Sequence, residues 1–318
     1  MQLLAAAMLA GFLLTACVSP PTAGPSSTPS PSISEMSPPP APQRTIDPLP
    51  DTASKATVLL SDPSMVFTQT EQEAAGPETF WVHGDLVTIA DHLNSRIVTF
   101  RDGQIVETLE WPVMENGEPV PAVDLAIDGD LFYFLAFMEP SVYVHQRVDG
   151  RLAPQRLIDF SSPNSSQVDM IELEDGNLVG VTYSGRRFLI EGPGPLAPDP
   201  VLDIDERLPS HIVQDGALNA RLLTQHEPVG IHLLQRDASG SYYWTAESYY
   251  SDDIGNVYVL HVYQFASDGS LVRTFTPHRD VDHVPNRELR VVNDQLYQLL
   301  DRADSAEVVL LHPDSAKR

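Results

Sequence analysis

The 318-residue chain carries 44 acidic against 19 basic residues, a formal net charge of −25, with 42% hydrophobic residues, 28 prolines and one cysteine. The charge argues against nucleic-acid binding and against a body lying flat on anionic lipid. A single cysteine excludes a disulfide framework, so the folded part must stand on its own core. Only Lys55 and Lys317 are lysine; the arginine bias is read as coding composition.

The first predicted element is apolar. Leu3 to Leu14 form a run of 12 residues, too short to span a hydrocarbon core of ~30 Å. It reads as the apolar region of a signal peptide at residues 1–16. The run ends in Leu14-Thr15-Ala16-Cys17. That string resembles the lipobox of bacterial lipoproteins. The resemblance implies that Cys17 receives a diacylglycerol anchor with palmitate-type chains, and that a peptidase cuts just before it. It also implies a cell-envelope location, with lipid fixing the mature protein to the outer face of a bacterial membrane. Met1-Gln2 departs from the pattern, since it supplies no Lys or Arg. Residues 17–55 follow as a lipid-anchored, disordered tether rich in Pro, Ser and Thr, as in Pro38-Pro39-Pro40. Such composition buries too little apolar area to offset ordering entropy.

From residue 56 to 318 the pattern changes to short strands rich in Val, Ile, Leu, Tyr and Phe, with no long helical period. One turn chemistry recurs in His83-Gly84-Asp85-Leu86, Asp128-Gly129-Asp130-Leu131 and Asp175-Gly176-Asn177-Leu178. A second set follows at Asp102-Gly103, Asp149-Gly150, Gly192-Pro193-Gly194 and Asp268-Gly269. Gly with polar neighbours supplies the positive φ that tight hairpins need. A repeated four-strand unit of ~45 residues is the signature of a β-propeller blade. The fold class is therefore all-β. First turns near Gly84, Gly129, Gly176, Gly240 and Asn293 give five blades with an insertion over 196–228. A second register, with Gly216 and Gly255 among the first turns, gives six at nearly even spacing, and six is favoured. Closure is expected from Ala56–Leu60 pairing with Val308–His312.

Ala90-Asp91, Asn94, Arg96-Ile97, Phe100 and Gly103 resemble an NHL repeat, with the closing Gly one place early. The next unit has Ser141 and Tyr143 where Asn94 and Arg96 stood. The resemblance implies a propeller.

No nucleophile elbow, phosphate loop, dinucleotide fingerprint or zinc helix occurs. Tyr249, Tyr250, Asp252 and Asp253 are the candidate ligand-binding residues: aromatic area beside carboxylate acceptors suits a protein, peptide or glycan. Ser251–Asn256 could accept Ca²⁺, although a solvated turn is the plainer reading. His278–His283 is denser in His and Asp, but alternation splits the set. Tyr243, Tyr258 and Tyr263 read as inter-blade packing. Two functions stand. One is an envelope-anchored binding module with no cofactor. The alternative is a hydrolase or lyase dependent on Ca²⁺ or another divalent ion, held in the central funnel by Asp124, Asp169, Glu172 and His232, with Arg290 beside them.

Overall fold

The computed structural model describes residues 42–314, apart from 66–67, 70–73, 137–138, 161–167, 183–185, 206, 238–239, 253–254, 280–286 and 303. The expected signal peptide, Cys17 and most of the expected tether lie outside the described residues. Every regular element described is a strand. The chain enters through β1 (Arg44–Ile46) and β2 (Ala56–Asp62), each of which joins a sheet made of distant residues. A two-stranded hairpin, β3 (Thr68–Gln69) and β4 (Ala74–Ala75), follows.

Six sheets of three or four strands then account for the remaining described strands. The first is β5 (Pro77–His83), β6 (Leu86–Asp91), β7 (Arg96–Arg101) and β8 (Gln104–Glu110). The second is β9 (Ala122–Asp128), β10 (Leu131–Ala136), β11 (Ser141–Val148) and β12 (Arg151–Asp159). The third has three strands, β13 (Val168–Glu174), β14 (Asn177–Thr182) and β15 (Arg187–Glu191). In the fourth, β16 (Val201–Asp205), β17 (Ser210–Asp215) and β18 (Leu218–Leu223) are joined by β1, parallel to β18. The fifth is β19 (Glu227–Asp237), β20 (Gly240–Ser251), β21 (Gly255–Phe265) and β22 (Leu271–Phe275). The sixth is β23 (Leu289–Val292), β24 (Gln295–Arg302) and β25 (Ser305–Leu311), completed by β2 antiparallel to β25.

The architecture is that of a six-bladed β-propeller. The strands β5, β9, β13, β19 and β23 touch innermost strands of neighbouring sheets. Apolar layers fill the spaces between sheets. Ile97, Leu109, Leu125 and Phe134 lie between the first and second, and Val213, Leu222, Tyr243 and Tyr263 between the fourth and fifth. Central strands such as β10 are apolar on both faces because each face meets a neighbouring sheet. The turn chemistry is as expected: Asp102-Gly103, Asp149-Gly150 and Asp175-Gly176 all hold positive φ at both residues, which matches the twist of the flanking strands. The clasp is the expected one, with Val58 opposite Val309.

Three expectations need correcting. The sixth sheet arises inside 196–228, from β16 to β18, where the five-blade register places an insertion. Gly216 joins β17 to β18, the middle strands of that sheet, and Gly255 closes the β20–β21 hairpin within the fifth, so neither glycine sits at the first turn of a blade. Residues 44–55, read from composition as tether, pack on the folded body. Ser54 Oγ donates to Asp314 at 2.7 Å and accepts from the Thr276 amide, and Asp51 lies 2.8 Å from His226 Nε2. The polyproline-rich composition hides a three-residue strand, because so short a run carries no periodicity.

Candidate functional site

The innermost strands carry alternating side chains toward the axis, and these are mostly charged. A cavity of about 480 Å³ opens there, walled by parts of the first, third, fifth and sixth sheets. Its lining includes Trp81, Glu172, Glu174, Arg187, Arg236, Arg287 and Arg290.

Arg290, on β23, is the hub of the wall. Its Nη2 donates to Asp124 Oδ1 at 3.1 Å and to the Leu125 carbonyl at 2.7 Å, while Nε donates to the Phe80 carbonyl. The guanidinium carbon sits 4.4 Å from the Trp81 ring centroid, in cation–π range. Asp124 also accepts from Thr79 Oγ1 at 2.6 Å and from the Ile171 amide at 2.9 Å, which ties three sheets together. Burial, reinforced by neighbouring Arg287, pushes the Arg290 guanidinium down to about 9, against the opposing pull of Asp124 and Glu172. It remains charged at neutral pH.

Glu172, on β13, is the second hub. Its two oxygens lie 2.7 Å from Arg187 Nη1 and 2.7 Å from Arg287 Nη2. Burial raises its carboxyl, but the two guanidinium groups outweigh burial and hold it below the usual range. Arg187 also reaches Glu174 at 2.6 Å. Three buried arginines thus face three carboxylates. Arginine suits this role because its planar fork holds two acceptors at once and it is weakly hydrated for a cation.

Sequence reasoning placed Asp124, Glu172 and Arg290 near the axis, and the structure joins them in one network. It does not bring the other two candidates to that network. Asp169 is the residue at the register shift between Val168 and Met170 in β13, and burial raises its carboxyl. His232 stacks on Trp244 at 4.4 Å between ring centroids, and burial lowers it to about 4. No group of three metal-ligating side chains occurs among the described residues. The donor set does not fit a divalent ion, since Asp124 and Glu172 already accept from arginine. Arg187 and Arg287 went unnoticed in the sequence, as did Arg236, which makes a bidentate pair with Asp215 at 3.0 and 2.7 Å. The only sequence-level signal was the arginine bias, and coding composition does not account for these buried roles.

The tyrosine candidates divide. Strand alternation puts Tyr249 and Tyr250 on opposite faces of the β20–β21 hairpin. Tyr249 stacks on His226 at 4.4 Å, while Tyr250 is 72% exposed. Tyr258, expected in the core, is 53% exposed, and it shares a face with Tyr250. Tyr243 and Tyr263 are fully buried as expected. Asp252 is described in the turn beside them, whereas Asp253 lies outside the described residues, as does most of 278–283. Asp91 collects the NHL-like pair: Asn94 Nδ2 donates to it at 2.9 Å and Arg96 Nε at 2.7 Å, while Arg96 Nη2 reaches Ser64 Oγ.

No known protein family matches the sequence, and no curated protein does. Among solved structures the chain is similar to the glutaminyl cyclase of Myxococcus xanthus, at 12% identity and a TM-score of 0.43, over 86% of this chain and 100% of that one. It is similar to a glucose dehydrogenase at 10% identity and 0.43, over 82% and 100%. A β-propeller domain from Myceliophthora thermophila aligns at 12% identity and 0.35, over 81% and 100%. At such scores and identities the likeness carries no argument about ligand or activity.

Proposed function

We propose that this chain is an envelope-anchored binding module, held by lipid at Cys17 to the outer face of a bacterial membrane, whose propeller face engages a ligand at the central cavity. One observation carries the choice of binding over catalysis. Asp124, Glu172 and Glu174 are each tied to an arginine, so the wall offers neither an uncommitted acid–base pair nor a metal ligand set. What it does offer is a cavity of about 480 Å³, within the range of small-ligand sites. The exposed Tyr250 and Tyr258, with Asp252 nearby, give a second contact area on the fifth sheet for a protein, peptide or glycan.

Two measurements test the proposal. Cys17→Ser should move the protein out of the membrane fraction or leave it unprocessed; unchanged fractionation and maturation would overturn the anchor. A fragment beginning at residue 42 should be stabilised saturably by at least one compound in a panel of peptides, neutral sugars and small anions. It should turn over no ester or lactone, with or without divalent ions. Metal-dependent turnover would replace binding with the hydrolase alternative.

A further inference from the structure

The funnel wall has more donors than acceptors, and on the reading that the funnel binds a ligand, this sets the ligand's chemistry. The carboxylates along the wall are committed. Glu172 takes Arg187 and Arg287, and Glu174 takes Arg187. Asp294, at the mouth, accepts from Tyr242 Oη at 2.5 Å, from Gln264 Nε2 at 2.6 Å and from Arg273. The donors are not exhausted. Arg287 lines the cavity with 3% of its surface exposed. Its Nη2 is used by Glu172, but its Nε and Nη1 have no hydrogen-bond partner. A guanidinium has five N–H donors and no acceptor of its own, so only a group bringing lone pairs can satisfy it. Buried N–H groups are almost always paired, so two unpaired ones on a single cationic side chain in a cavity wall mark an acceptor site.

We infer that the central cavity binds a small organic or inorganic anion, a carboxylate or phosphate group held by Arg287 with Arg187 beside it. A neutral polyol brings acceptors too, but each hydroxyl also brings a donor, and the committed carboxylates leave little to receive it. A cation is repelled by the guanidinium charge. The chain's net charge of −25 repels anions from the rest of the surface, so binding at the funnel should be one to one. Recognition then rests on short-range hydrogen bonds at the guanidinium fork, which favours planar oxyanions over spherical chloride.

Isothermal titration of the fragment starting at residue 42 tests this, with succinate and inorganic phosphate as probes, glucose as the neutral control and ionic strength held with sodium chloride. The expected result is a single saturable site for at least one of the two anions. Which of them binds more tightly separates a carboxylate ligand from a phosphate. Affinity should fall at least tenfold in Arg287→Met combined with Glu172→Gln, a pair that removes the arginine without stranding a buried charge. Leu157→Ser, on the outer edge of the second sheet, should bind like the native chain. If the double variant does not fold, Arg287→Lys keeps the charge beside Glu172 but loses the fork, and the same fall is expected. Binding no tighter than chloride, or equal binding by the variants, overturns the inference. Glucose or a peptide binding where the anions do not would sink it and leave the binding-module reading standing; failure of the whole ligand panel would sink both.

Discussion

Polar groups are buried in two regions of this propeller on opposite terms. Along the axis, Arg187, Arg287 and Arg290 keep their charge and face Asp124, Glu172 and Glu174. Between the fourth and fifth sheets, His211 and His261 are equally buried and give up their charge instead. Burial first, and then the neighbouring His261 and His232, lower His211 to about 4; His261 also lies at about 4, chiefly through burial. Both ring nitrogens of His211, together with Thr245 Oγ1 and His261 Nε2, make no hydrogen bond. The contrast follows from chemistry. A guanidinium cannot shed its proton at physiological pH, so it must be paired, whereas an imidazole can be buried neutral at modest cost. One region is therefore sensitive to the loss of a partner and the other to pH.

The largest effect should come from breaking a pair on the axis. Asp124→Ala strands the Arg290 charge, and loss of one partner of a buried pair typically costs about 3–5 kcal/mol. Urea unfolding should show that loss, and Asp124→Ala with Arg290→Met should recover most of it. Equal stability of the single and double variants would mean that charge pairing is not what the axis depends on.

Acidification should strike the other region. His211, His232 and His261 lie at about 4 in the folded chain, against an ordinary value of about 6.5. Above pH ~6.5 neither state binds these protons, so nothing is lost. As pH falls from about 6.5 toward 4, the unfolded chain takes up protons that the folded one refuses. The cost at pH 5 is on the order of 2 kcal/mol per histidine. Glu247 and Glu288, raised mainly by burial, act in the opposite sense and offset part of it. Unfolding free energy at pH 7 and pH 5 should differ accordingly, and His211→Phe should reduce the difference. A flat profile would show that the histidines gain internal partners when charged.

Smaller effects sharpen the boundary between the regions. Tyr243, at the base of the histidine layer, donates its hydroxyl to Asp215, which Arg236 already holds. Tyr243→Phe should therefore cost only about 1 kcal/mol, since a charged partner remains for the carboxylate. Tyr250→Ala, on the exposed hairpin face, should change stability by less than ~0.5 kcal/mol. A larger melting-temperature shift there would place that ring in a structural role and remove it from the binding surface.

Much of the fold was legible because its signals are local. Gly84, Gly129, Gly176, Gly240 and Asn293 all lie at the first hairpin of a sheet, where positive φ is needed within a few residues. Asp124, Glu172 and Arg290 were legible as axial because alternation along an inner strand fixes a face. Alternation says nothing about partners in other sheets. Arg187 comes from a third strand and Arg287 from the link before β23, so their meeting at Glu172 is visible only once the ring has closed. The tyrosines failed for a related reason. Tyr249 and Tyr250 are adjacent in sequence, and a strand separates adjacent residues.

The clasp also sets an order of events. β2 starts at Ala56 and pairs with β25, which ends at Leu311, so the ring is fastened by two strands far apart in the chain. Synthesis presents the first of these strands long before the second exists. Until Ser305–Leu311 emerges, five sheets can form beside a sixth that lacks β25 and has no place for β2. Contacts so distant in sequence form slowly, and an unpaired strand edge in the meantime is a template for other chains. Truncation just before Ser305 should accordingly yield aggregates and not a five-sheet monomer, because the missing strand holds both the last sheet and the first strand to join it.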